Sequence, residues 1–317
     1  MAREATVFCA TQSRQVDDPL PGTGAHATCN LLISWPSGKW LRSLRKARDM
    51  SDAVLDRIEA VFAGGRRVNL IHRQQQASDR HRIYLMPENL TLEVPRKQLP
   101  DFLEALLNGD DLEAWGATRA DKPLILCCTH GKKDKCCAKF GNATFQALER
   151  AVAQGGGRFE VWQSSHLGGC RLAASTMVFP ATRKYGRLDA GHIEPLLAAE
   201  LADRPYWPCY RGNSTLNPLQ QCAEVAALQW LESNGVVARV EPESGGEVAE
   251  GRATVVCAWR SDDAQGRLVV HCAQSRVLRY DTCADIGPDG PSTATVWRAS
   301  DVQALESSRS TNVTAGG

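Results

Sequence analysis

No stretch of the 317 residues approaches the roughly 20 consecutive apolar positions that a membrane-spanning helix needs. The opening MAREATVFCATQSRQ has no basic segment followed by an apolar run, so it offers no secretory signal, and the expected location is the cytoplasm. Charge of one sign is also missing. With 37 Lys and Arg against 36 Asp and Glu, nothing in the whole-molecule charge invites nucleic acid or an anionic membrane surface. There is no Gly-rich dinucleotide fingerprint and no P-loop, so a bound nicotinamide or nucleotide is not expected. No CxxC occurs either, which removes the usual dithiol of a thiol–disulfide enzyme.

What the chain does have is twelve cysteines. In a reducing compartment such residues serve more often as metal ligands, redox groups or small buried hydrophobes than as disulfides. Cys9, Cys29, Cys209, Cys222, Cys257, Cys272 and Cys283 are scattered singly and read as buried apolar side chains. The other five fall between positions 127 and 170, in the tracts CCTHGKKDKCC and SSHLGGC.

The chain reads as an α/β protein of more than one unit. Residues 28–34 form a strand. Ser51 caps a helix with Val54, Leu55, Ile58, Val61 and Phe62 at helical spacing. Strands follow at 67–72, 82–86 and 91–94, then a helix from Leu99 to Leu107 that stops at Gly109. The middle repeats that order: a buried strand at 123–128, a helix with Phe145, Leu148 and Val152, strands at 158–163, 175–179 and near Tyr185, and a helix from Ile193 to Leu201. Strand, helix, strands, helix is the thioredoxin-like order, so two such halves in tandem are expected. A helix carrying Leu219 to Trp230 follows, then a polar linker over 241–251, a small antiparallel sheet (TVVCAW, RLVVHC, TATVWRA) and a disordered tail, SSRSTNVTAGG. The expected division is 1–112, 113–240 and 241–317.

Cys128 ends an apolar strand, and Cys137 lies nine positions later near a helix start. His166 and Cys170 stand four apart across Gly168 and Gly169, after another strand. Two loops, each offering two soft ligands, can surround a metal centre, and the helix N-terminus behind Cys137 favours thiolate over thiol. Three thiolates and an imidazole suit either zinc or an iron–sulfur cluster. The Cys128–Cys137 interval is wider than a zinc knuckle, yet residue chemistry alone leaves both open. Cys127 and Cys136 adjoin the candidates, and strand alternation sends Cys127 and Cys128 to opposite faces. His130 is a rival imidazole, read here as a donor to a sulfur or a loop residue. Lys132, Lys133, Lys135 and Lys139 crowd the first loop and offer a docking rim for an acidic partner, and Arg171 beside Cys170 is a candidate for the same role.

At these tracts the sequence resembles the sucrase/ferredoxin-like family, whose core is a thioredoxin-like 2Fe-2S ferredoxin. The resemblance runs through DDPLPGTGAHA, SWPSGKW, LCCTHGKKDKCCAKFG, VWQSSHLGGCRLAASTMVFP, KYGRLD and YRGNSTLNPLQQCAE. It implies a thioredoxin-like ferredoxin domain preceded by a second thioredoxin-like half, with a small C-terminal β extension. The second family loop commonly reads HxGGH; here Cys170 stands in place of the final histidine, like the CxxxC loop of ordinary thioredoxin-like ferredoxins. The implied ligand set is Cys128, Cys137, His166 and Cys170 around one 2Fe-2S cluster. The implied role is single-electron transfer with a protein redox partner, as a carrier or a subunit of a larger oxidoreductase; a zinc-stabilised module or a thiol-based redox protein is the alternative. Tyr210, Arg211 and Gly212 match the family's YRG segment and are read as loop packing. The family label "sucrase" suggests glycoside hydrolysis, but no acidic pair stands in a convincing context for it.

Overall fold

The computed structural model describes residues 7–243 and 248–309. Helix α1 (Cys9–Gln15) precedes strand β1 (Asn30–Ser34), helix α2 (Asp52–Ala63), strands β2 (Arg67–His72), β3 (Arg80–Met86) and β4 (Leu90–Pro95), and helix α3 (Leu99–Asn108). After a two-residue strand β5 (Thr118–Arg119), the order recurs as β6 (Leu124–Cys128), α4 (Asn142–Gln154), β7 (Glu160–Ser164), β8 (Thr176–Phe179), β9 (Arg183–Tyr185) and α5 (Ile193–Leu201). Strand β10 (Tyr210–Asn213), helix α6 (Pro218–Ser233) and strands β11 (Arg239–Pro242), β12 (Val248–Ala249), β13 (Arg252–Arg260), β14 (Ala264–Arg279) and β15 (Ser292–Arg309) complete the described chain.

Local chemistry sets the helix ends. The Ser51 hydroxyl accepts from the Val54 amide at the start of α2. Helix α3 ends on Gly109 at φ +74°, a left-handed turn that glycine enters freely. Asn217 and Gln220 cap α6 reciprocally, side chain to backbone in both directions.

The two halves share the same pairing scheme. In the first, β1 lies parallel to β2 and antiparallel to β3, and β3 is antiparallel to β4. In the second, β6 lies parallel to β7 and antiparallel to β8, and β8 is antiparallel to β9. This is the tandem thioredoxin-like arrangement expected from element order. The halves do not sit apart, however. Strands β2 and β7 pair antiparallel, Ile71 opposite Ser164 and His72 opposite Gln163, which fuses them into one ten-stranded sheet, β10-β9-β8-β6-β7-β2-β1-β3-β4-β5.

Side-chain alternation divides this sheet into two faces. Leu31, Ile33, Val68 and Leu70 pack against Ile58 of α2 and Phe102 of α3, while Ile125, Cys127 and Val161 pack against Leu148 of α4 and Leu196 of α5. The alternate residues, among them Leu32, Ile71, Leu126, Cys128 and Trp162, form a third core that α1 and the cysteine-bearing loops cover.

Helix α6 is shared. Its Val225 and Leu228 join the core of the second half, whereas Leu219, Ala223, Ala227 and Leu231 pack on Val255, Leu268 and Val270 of the C-terminal sheet. That sheet runs β11-β13-β14-β15 with β12 on β13, and it starts at Arg239, inside the segment before the expected boundary at 241. The expected linker over 241–251 is therefore partly strand, with residues 244–247 outside the described residues. The tail expected to be disordered also needs correction: β15 runs to Arg309 because it pairs along the whole of β14, Arg309 opposite Ala264. Residues 310–317 lie outside the described residues. Among the described residues, no helix is long and apolar enough to cross a membrane.

Candidate metal centre

Strand β6 delivers two adjacent cysteines to opposite faces. The Cys127 thiol turns toward the helices and donates to the Gly141 carbonyl at 3.4 Å, whereas Cys128 enters the core on the other face. The loop then returns in a π-helical turn, Cys137–Gly141, that leads into α4. Gly141 presses so closely on the end of β6 that a side chain there would meet the Cys128 carbonyl. This contact brings Cys137 back beside Cys128. Cys136, one residue earlier, points elsewhere, toward Cys9.

The second loop follows β7. The Ser165 hydroxyl accepts the Leu70 amide at 3.0 Å, and Asn69 donates to the Ser165 hydroxyl at 3.1 Å, so the first half holds this loop down. Gly168 and Gly169 both take positive φ, +92° and +78°, and a Cβ on Gly169 would sit 2.7 Å from an Arg211 nitrogen. The turn swings Cys170 back toward His166.

The four residues singled out in the sequence meet. The Cys137 and Cys170 sulfurs are 3.8 Å apart, the Cys170 sulfur is 3.5 Å from His166 Nδ1, and donor atoms of Cys128, Cys137 and His166 lie within 4.8 Å of one another. The three cysteines are buried, while His166 keeps part of its surface exposed.

The pocket already favours thiolate. A hydrogen bond from the Cys137 thiol, helped by His166 and the His130 backbone, holds Cys128 well below the usual thiol range against the opposing effect of burial. Cys170 falls to about 7, again led by a hydrogen bond from Cys137. Cys137, which supplies both bonds, is pushed up. Burial works against charge on His166, but hydrogen bonds to Cys128 and Cys170 prevail and raise it to about 9. The network thus prepares Cys128 and Cys170 as thiolates, while Cys137 and His166 each hold a proton that a metal would displace.

His130 does not aim its ring at the sulfurs. Its Nδ1 accepts the His166 amide at 3.2 Å and its Nε2 lies 2.6 Å from the Leu41 carbonyl, so the buried ring is a neutral bridge to the first half. Of the loop lysines, Lys132 bonds to backbone carbonyls of Gly38 and Trp40, and Lys139 stands 4.3 Å over the Phe8 ring. Arg171 leaves the expected rim altogether: it is buried and paired with Asp18 at 2.5 Å and Asp281 at 3.1 Å.

The sequence reading missed three cations. Arg67 donates to the His166 carbonyl at 2.7 Å, Lys184 to the Leu167 and Ala25 carbonyls at 2.8 Å, and Arg211 to the Gly168 carbonyl at 3.1 Å and the Ser175 hydroxyl at 2.7 Å. Lys184 and Arg211 are buried, and Arg67 is nearly so. Among the described residues none of the three has a carboxylate at ion-pair distance. Burial, with repulsion from Arg211 and Arg67, holds Lys184 well below its ordinary range, and burial with repulsion from Arg171 brings Arg211 down to about 9. Arg211 lies in the YRG tract, so its position was marked, but nothing local showed where its side chain points.

This fold, with paired cysteine-bearing loops at the ends of two parallel strands, defines a thioredoxin-like α/β protein. The chain belongs to the sucrase/ferredoxin-like family, whose profile matches residues 20–212. A curated relative, Altered inheritance of mitochondria protein 32 of Debaryomyces hansenii, is 23% identical over 148 residues, covering 39% of this chain and 54% of that protein. The chain thus spans about half the length of that relative. Among solved structures, the thioredoxin-like [2Fe-2S] ferredoxin from Aquifex aeolicus matches 29% of this chain and 91% of its own at 15% identity and a TM-score of 0.26. A second structure of that ferredoxin, the wild type, matches 29% of this chain and 97% of its own at 14% identity and the same TM-score of 0.26.

Proposed function

We propose that this protein carries single electrons on one 2Fe-2S cluster held by Cys128, Cys137, His166 and Cys170, exchanging them with a protein redox partner. The donor set fits the group: two thiols biased toward thiolate, a third thiol that bonds to both, and the imidazole of a partly exposed histidine, converging from two loops. The observation that carries the reading is the buried trio Arg67, Lys184 and Arg211. Three uncompensated cations in the interior are costly without an anion nearby. A cluster with three thiolates carries about one negative charge when oxidised and about two when reduced, which supplies that anion.

When bound, the cluster takes up and releases one electron. The chain's own residues then do the tuning. Arg67, Lys184 and Arg211 oppose the added negative charge, and the imidazole in place of a fourth thiolate eases reduction. The expected potential therefore lies between about −400 mV for four-thiolate plant-type clusters and about −150 mV or higher for two-histidine centres. His166 is the ligand nearest solvent and marks the edge for electron exchange. Lys133 and Lys135, without an ion pair among the described residues, offer positive charge on the first loop to an acidic partner.

In this reading residues 113–240 form the electron-carrying unit, 1–112 its support and 241–317 an extension. All twelve cysteines are unpaired, in keeping with a reducing, cytoplasmic setting. Purification under oxygen exclusion is expected to give brown protein with two irons and two acid-labile sulfides per chain. On reduction it should give a rhombic electron paramagnetic resonance signal that Cys170→Ala abolishes. Colourless, iron-free material would overturn the proposal.

A further inference from the structure

Cys9, Cys136 and Cys283 look unrelated in sequence, yet their sulfurs form a triangle. Cys9 and Cys136 are 3.4 Å apart, Cys136 and Cys283 3.3 Å, and Cys283 and Cys9 3.6 Å. Asp134 caps the triangle, with Oδ1 4.0 Å from the Cys9 sulfur. All four donor groups lie within 4.8 Å of one another.

The aspartate is oriented from both sides. Its Oδ1 accepts the Cys136 amide at 2.8 Å and its Oδ2 accepts the Cys283 amide at 2.7 Å, leaving lone pairs on each oxygen. It is only 4% exposed, and among the described residues no lysine or arginine stands at ion-pair distance. A buried carboxylate facing three thiols, with no cation, is an arrangement that a metal ion resolves. The Ala10 amide donates to the Cys136 sulfur at 3.4 Å, which fixes its position in the triangle.

We propose that Cys9, Cys136, Cys283 and Asp134 bind one structural zinc ion in a second site beside the cluster site, Asp134 lying between the two, within 4.8 Å of Cys137 and Cys170 as well. Zinc–sulfur bonds of about 2.3 Å in a tetrahedron set sulfurs about 3.8 Å apart, close to the triangle observed. Three soft donors and one oxygen fill all four positions, leaving no open site for catalysis. Binding displaces the thiol protons to solvent, and no electron moves. The ion joins α1, the loop after β6 and the connection between β14 and β15, segments separated in sequence by up to 274 residues. Clipping such distant segments is where a metal adds most to fold stability.

The full-length chain, produced with both metals available, is expected to contain one zinc per chain by mass spectrometry, besides its iron. Absorption at the zinc edge should show three sulfurs and one oxygen. Cys283→Ser, on a partly exposed connection, should cut zinc to roughly a tenth while leaving iron, sulfide and the visible spectrum in place. Cys170→Ala should do the reverse, keeping zinc and losing iron. Wild-type protein that holds its iron but no zinc overturns the inference, as does zinc untouched by both Cys283→Ser and Cys9→Ser. A disulfide among these three cysteines in freshly isolated protein overturns it as well. The zinc-edge measurement on the wild type decides the matter even if a variant fails to fold.

Discussion

Gly141 and Cys128 touch through their backbones: a Cβ built on Gly141 would lie 2.0 Å from the Cys128 carbonyl oxygen. No rotamer escapes such a clash, because backbone meets backbone. Gly141→Ala should therefore separate the end of β6 from the turn that carries Cys137. The expected cost is about 3 kcal/mol of stability, together with loss of most of the bound iron. Denaturant unfolding and iron analysis on the same preparation test both. A variant with wild-type stability and full iron would show that this contact positions nothing.

Lys184 is a buried cation bonded only to the carbonyls of Ala25 and Leu167. Lys184→Met keeps length and removes the charge. The reduction potential of the bound cluster should fall, by roughly 70 mV if the charge acts across about 10 Å at an effective dielectric near 20. Protein-film voltammetry reads the shift. A potential that stays put or rises would mean the buried cations do not face the cluster.

His166 is partly exposed, which allows its imidazole to exchange a proton with solvent. Reduction adds negative charge and strengthens that proton's hold; the potential should fall as pH rises through the titration. His166→Cys should lower the potential throughout and flatten this dependence. A wild-type potential constant from about pH 6 to 9 would remove the claim.

Glu224 offers a stability test away from the metal sites. Burial raises its carboxyl to about 7, against hydrogen bonds from the Asn213 amide and the Tyr210 hydroxyl. The folded chain then holds the proton more tightly than the unfolded chain does. That contribution is complete below about pH 4.5 and disappears as pH climbs through 7, a change of about 3 kcal/mol. Glu224→Gln should make the stability profile flatter over this interval. Parallel pH slopes for the two proteins would refute it.

The sequence was most readable where a local pattern carries the signal. Strand β2 and helix α5 fall where apolar spacing places them, and Cys128, Cys137, His166 and Cys170 stood out because their loops follow apolar strands. The β2–β7 seam was not readable, since it joins segments about ninety residues apart through only two residue pairs. Polar residues at the end of β15 hid its length; nothing apolar marks Ser307 to Arg309 as strand, and only pairing with β14 holds them. Cys9 and Cys283 passed for core cysteines because their meeting depends on tertiary packing alone. Nothing in the local sequence marks Arg67 and Lys184, because their burial depends on tertiary packing alone.

The seam has one more consequence. Arg67, Asn69 and Leu70 of the first half hold the backbone of the His166 loop through its carbonyls and the Ser165 hydroxyl. Excising the second half as an autonomous miniature ferredoxin would strip that loop of its anchors and bare the edge of β7 to other chains. The first half thus serves as a brace for the loop that carries His166 and Cys170.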